Sequence, residues 1–155
     1  MFSSHSSLPL YKYIRIYTLK EPNATKLESQ GLGYVVGSIG ELSGEMPYTA
    51  FYARKSFIDN NEDLLRRFNN AVNKGLEYVK THSNNEVALA IIDQFPDTSL
   101  YDVEKIVKRY READSWLSTT SISEDSYKNL ENIMINNNLL DDYVPFDKLV
   151  IDLND

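Results

Sequence analysis

The sequence predicts an α/β chain in which a few N-terminal strands lead into a mainly helical C-terminal segment. Three observations carry this prediction. Short runs of β-branched and aromatic residues lie before residue 58. After Asp59 the apolar residues recur at three- and four-residue steps, the period of a helix buried on one side. Two Ser-x-x-acid patterns, at Ser83 and Ser99, mark helix starts within that second part.

Residues 1–9 are Ser-rich and end at Pro9, with no core pattern. Residues 11–19 hold Tyr11, Tyr13, Ile14, Ile16 and Tyr17, which reads as a strand. Glu21, Pro22 and Asn23 open a short helix through Ser29, since proline suits the first helical turn, and Gly31 and Gly33 stop it. Tyr34, Val35 and Val36 form a second short strand, followed by the Gly/Ser-rich loop GSIGELSGEMP. The stretch YTAFYAR, residues 48–54, is the third strand, because aromatic and alternating residues suit a half-buried pleated surface.

Beyond it, Leu64, Leu65, Phe68, Ala71, Val72, Leu76 and Val79 lie on one stripe of a helix of about five turns. Asn61 is placed to cap it, with Glu62 and Asp63 opposing the helix dipole and Lys80 near its far end. The capping box at Ser83 and Glu86 starts a helix that buries Val87, Ala88, Ile91 and Ile92 and stops before Pro96. Ser99 and Asp102 start the next, with Val103, Ile106, Val107 and Tyr110 on one face. A fourth carries Tyr127, Leu130, Ile133 and Met134 and ends in Asn136, Asn137 and Asn138. Val144, Pro145, Phe146, Leu149 and Val150 pack back as a short helix or an extended segment.

Charge is unevenly spread. The 155 residues carry a net −7, of which residues 1–58 contribute +2 and residues 59–155 contribute −9. An acidic surface repels phosphate backbones, which argues against nucleic acid as the main partner. There is no cysteine, which excludes disulfides, thiolate nucleophiles and thiolate metal sites. No apolar run approaches the roughly 20 residues that span a bilayer. The N-terminal sequence lacks the pattern of a secretory signal and any lipoprotein cysteine, so a cytoplasmic or unassigned location is expected for the chain as it stands.

Catalytic equipment is sparse. Gly31, Gly33 and Gly37 resemble a dinucleotide fingerprint only superficially, since they precede a strand and the third glycine is displaced by one position. The two histidines, His5 and His82, are far apart, and His82 reads as a polar group at a helix end. Asp141 and Asp142 read as a solvated helix end, and Trp116 as a core anchor. No nucleophile elbow or phosphate loop is present. The expectation is a protein without enzymatic activity, cofactor or bound metal. Tyr48 and Tyr52 stand apart, because they follow a glycine-rich loop where ligand sites tend to form.

The string GYVVGSIGELSGEMPYTAFYARKSFIDNNEDLLRRFNNAVNKGLEYVKTH, continued by QFPDTSLYDVEKIVKRYREADSW and VPFDKLV, resembles the late part of type II periplasmic-binding-like solute receptors of ABC importers. The group it is most similar to is the nitrate, sulfonate, taurine and thiamine-precursor type. The resemblance covers residues 21–155, the C-terminal portion of such a domain, and residues 1–20 match it poorly. It implies a partial type II periplasmic-binding fold and a cleft that clamps a small polar or anionic molecule without chemistry. It also implies that the family's extracellular, cell-surface setting and an ABC permease partner apply to the complete receptor. In that reading Glu21 and Pro22 correspond to an acidic-Pro step near the cleft, and Ser43, Gly44, Glu45, Pro47 and Tyr48 to a loop at a lobe crossing. A complete receptor is about twice this length, so the resemblance implies a truncated product whose other partner is the missing N-terminal lobe. The rival expectation is a helical interaction module that has lost ligand binding. An enzyme of the thiamine-precursor-synthesis type ranks third.

Overall fold

The computed structural model describes residues 15–154. Eight α-helices follow one another there: α1 (Asn23–Ser29), α2 (Ile39–Ser43), α3 (Lys55–Asn60), α4 (Glu62–Thr81), α5 (Asn84–Ile91), α6 (Leu100–Glu112), α7 (Glu124–Asn136) and α8 (Phe146–Leu149). A 3-10 turn, Ile92–Gln94, extends α5.

This overturns the expected α/β class. More than half of the described residues are helical and none belongs to a strand. Of the strand expected over residues 11–19, residues 11–14 lie outside the described part, and residues 15–19 have no regular structure. Residues 34–36 and 48–54 are also irregular. The physical reason is the absence of pairing. A strand satisfies its backbone only through a neighbouring ladder, and among the described residues no ladder forms beside these segments. Their apolar side chains point into water instead: Tyr34 is 87% exposed and Tyr52 98%. Parts of the intervening sequence turn helical locally. Ser38 caps α2 inside the expected loop, accepting from Glu41 N at 3.4 Å.

The helical half follows its sequence signals closely. The Ser83–Glu86 capping box forms in both directions, with Ser83 N donating to Glu86 Oε2 at 2.8 Å and Glu86 N to Ser83 Oγ at 3.3 Å. Ser99 caps α6 by accepting from Asp102 N at 3.1 Å. These caps set α5 and α6 side by side, where Val87, Ala88, Val103 and Val107 make the buried core. Val79, Ile92, Phe95, Leu100 and Trp116 pack around it. Burial of each such valine is worth about 1.5–3 kcal/mol, so this pair of helices is the stable centre of the fold.

Two expectations about α4 are corrected. None of α4 is buried, and Leu64 and Phe68 on its apolar stripe remain close to half exposed. Asn61 does not cap α4 with its side chain; it donates back to Phe57 O at 2.8 Å, because α3 ends there. On α7 the buried residues are polar, Ser126 and Glu131. Glu131 Oε1 accepts from Val144 N at 2.7 Å and Tyr127 Oη donates to Val144 O at 3.0 Å, which folds the tail and α8 back onto this helix. Phe146 then meets Tyr127 edge to face.

Candidate functional site

α1 is fastened across α6 by charge. Glu21, whose side chain is only 9% exposed, accepts from Arg109 Nη1 at 2.6 Å and from Thr25 N at 3.0 Å, closing the first turn of α1. Arg109 also donates to Thr25 Oγ1 at 2.9 Å and to Glu28 Oε2 at 2.8 Å. Lys105 reaches the same Glu28 oxygen at 2.6 Å. The hydrogen bond from Lys105, with those from Val35 N and Arg109, holds the Glu28 carboxyl down at about 2. The peptide bond between Glu21 and Pro22 is cis.

Next to this cluster, Tyr110 meets Trp116 edge to face at 5.4 Å between ring centroids. Burial pushes the Tyr110 hydroxyl up, and the nearby Glu21 and Tyr48 push it further in the same direction. Glu21 and Tyr48, far apart in sequence, therefore both act on one half-buried hydroxyl.

The loop after α2 is held from the other side. Asn129, on α7, donates through Nδ2 to Ser43 O at 3.2 Å and to Glu45 O at 3.0 Å. Gly44 lies between those carbonyls with φ +73, a left-handed conformation that favours glycine. A Cβ there would sit 3.6 Å from Asn129 Nδ2, so it is the backbone angle and not the available space that selects glycine.

Below this loop an open pocket of about 240 Å3 is lined by Glu45, Leu117, Ser118, Thr119, Ser121, Ile122 and Ser123. Its far wall is fixed by a polar network. Thr120 N donates to Asn73 Oδ1 at 2.9 Å, Asn73 and Asn69 both donate to Asn154 Oδ1, and Ser121 Oγ donates to Asp152 Oδ2 at 2.8 Å. These bonds join α4, the pocket wall and the C-terminal tail. A second open pocket of about 450 Å3 lies between α7 and the tail, against Tyr127, Glu131, Tyr143 and Phe146.

Of the residues singled out in the sequence, Glu45 lines the first pocket, Ser43 and Gly44 shape the loop that carries it, and Tyr48 is 78% exposed and is not part of the pocket lining. Glu21 is engaged with Arg109 and Thr25 and faces Tyr110. The sequence marked Tyr110 only as part of a helix face, and did not mark Asn129 or the hydroxyl run Ser118, Thr119, Ser121 and Ser123. Their roles depend on contacts across tens of residues, which no local pattern records.

The chain is 34% identical over 139 residues to a protein of Bacillus subtilis (strain 168) named "Putative binding protein YtlA". The aligned part takes in 90% of this chain and 41% of that relative. The chain thus spans less than half the length of the curated relative it matches. No protein-family model matches the chain, and no solved structure matches it. Among the described residues no group of His, Asp or Glu is arranged to hold a metal ion, and no helix is long and apolar enough to cross a membrane.

Proposed function

We propose that this chain is a portion of a solute-binding protein of an ABC importer, capturing a small polar molecule at the 43–48 loop without covalent chemistry and delivering it to a membrane permease. The observation that carries this reading is the 34% identity, over nearly the whole chain, to a relative named for binding. The geometry supports it. A loop bearing Glu45 and Tyr48 is clamped by Asn129 above a pocket whose polar side chains are four hydroxyls and one carboxylate. Hydroxyls and a carboxylate orient a solute by accepting its N–H and O–H groups. The pocket wall carries no lysine, arginine or histidine, which favours a polar or cationic solute over an anionic one.

Thermal unfolding in the presence of sulfonates, nitrate and pyrimidines tests the reading. A solute that binds only the folded state stabilises it by RT ln(1 + [L]/Kd), about 2.7 kcal/mol at a hundredfold excess over Kd. A pyrimidine or another N–H-bearing solute is expected to raise the transition temperature, and nitrate is not. The absence of any shift, with the rest of the receptor present, favours the rival reading of a helical module without ligand binding.

A further inference from the structure

The pocket between α7 and the tail takes no part in the reading above. Its volume of about 450 Å3 falls within the range of small-molecule sites, about 300–1,000 Å3. Three aromatic rings line it, those of Tyr127, Tyr143 and Phe146. The carboxylates of Glu124, Asp125 and Glu131 share the same wall with a single ammonium, that of Lys128.

Glu131 sets this wall apart from a solvated acidic surface. It is only 6% exposed, and its Oε1 accepts from Val144 N at 2.7 Å. Among the described residues no lysine or arginine forms an ion pair with it. A carboxylate taken out of water keeps its charge at a cost that a nearby cation offsets. The rings supply the other half of such a site. Tyr127 and Phe146 meet at 80° with centroids 5.4 Å apart, which makes a corner. Tyr127 Oη donates to Val144 O at 3.0 Å and Tyr143 Oη to Asn132 Oδ1 at 2.5 Å, so both tyrosine rings are tethered in advance of any ligand. Aromatic faces attract cations, and quaternary ammonium groups are the usual ligands of such walls. Among the described residues the acidic groups are not arranged to hold a metal ion.

We propose that this pocket binds a small organic cation of the trimethylammonium type, seated on the rings of Tyr127, Tyr143 and Phe146 with Glu131 compensating its charge. The site is separate from the 43–48 loop and does not depend on the solute-transport reading. Glu124 and Asp125, in the first turn of α7, add negative potential at the pocket edge and so favour a cation over a neutral molecule of the same shape.

The test is titration of the full chain with choline and with its uncharged isostere, 3,3-dimethylbutan-1-ol, followed by calorimetry and amide chemical shifts. Choline is expected to bind saturably with a Kd of about 10 mM or tighter. It should move the amides of residues 124–131 and 143–146 and leave those of α5 and α6 in place. The isostere should bind at least about tenfold more weakly. Tyr143→Ala is expected to weaken choline about fivefold, whereas Tyr143→Phe, which keeps the ring and loses the bond to Asn132, should retain the parent affinity. Glu131→Gln can still accept from Val144 N and should weaken choline about tenfold. Absence of saturation, equal affinity for the isostere, or shifts confined to residues 117–123 would each overturn the inference. So would an affinity that Tyr143→Ala leaves unchanged, or one that Tyr143→Phe lowers as much as Tyr143→Ala does. None of these results bears on solute capture at the 43–48 loop, so the two readings fail separately.

Discussion

Asn129 carries Glu45: its side-chain amide donates to the Glu45 carbonyl at 3.0 Å and, with the same nitrogen, to Ser43. One side chain on α7 thus sets the height of the candidate binding loop over the pocket. Asn129→Ala is expected to release that loop, at a cost of about 1–2 kcal/mol in stability for two lost hydrogen bonds. Hydrogen exchange should show faster amides over residues 43–48, with α5 and α6 unaffected.

The ion cluster on α6 has a different signature. Glu28 sits at about 2 in the folded chain against an ordinary value of 4.5. A depressed carboxyl contributes stability that is complete above its unfolded value and is lost as pH falls through its folded one. Stability should therefore fall from about pH 4.5 towards pH 2, and Glu28→Gln should flatten that part of the pH profile measured by denaturant unfolding.

Arg109 is the hub of the same cluster, bonded to Glu21, Thr25 and Glu28. Arg109→Met removes the hub, leaving Glu21 only the Thr25 amide and Glu28 only Lys105 and the Val35 amide, and is expected to cost roughly 1–3 kcal/mol. The loss should appear first as detachment of α1, read by exchange of the amides of residues 23–29, before the α5–α6 pair melts.

Val107, fully buried between α5 and α6, tests the core. Val107→Ala removes two methyl groups from a closed site, for about 2 kcal/mol including the cavity left behind. Calorimetry should show a lower transition temperature, whereas Tyr52→Ser, at a side chain almost wholly in water, should leave it unchanged.

The helices were legible where a cap and an apolar period agreed. Ser83 with Glu86, and Ser99 with Asp102, announced α5 and α6, and both caps are made. The strands were not legible, because strand formation depends on a partner that residue type alone does not supply; YTAFYAR has the composition without the pairing. Asn61 stands at the N-cap position of α4 as its sequence indicates, but α3, hidden in KSFIDN, takes its side chain. The loop containing Glu45 was legible from its glycine and proline content, whereas Tyr48, expected to begin a strand, lies in irregular chain. Asn129, which holds it, was not, because its partners lie 84 and 86 residues away.

Trp116 is the chain's single tryptophan, it packs against Tyr110, and the residues after it line the pocket below Glu45. Its fluorescence, titrated with pyrimidines, sulfonates and nitrate on the chain joined to the rest of the proposed receptor, reads solute capture where it is proposed to occur. Solute capture at this loop predicts a saturable change in emission with at least one N–H-bearing solute, abolished by Glu45→Ala. Emission unchanged by every solute in that assembled protein, or a response that survives Glu45→Ala undiminished, would contradict it.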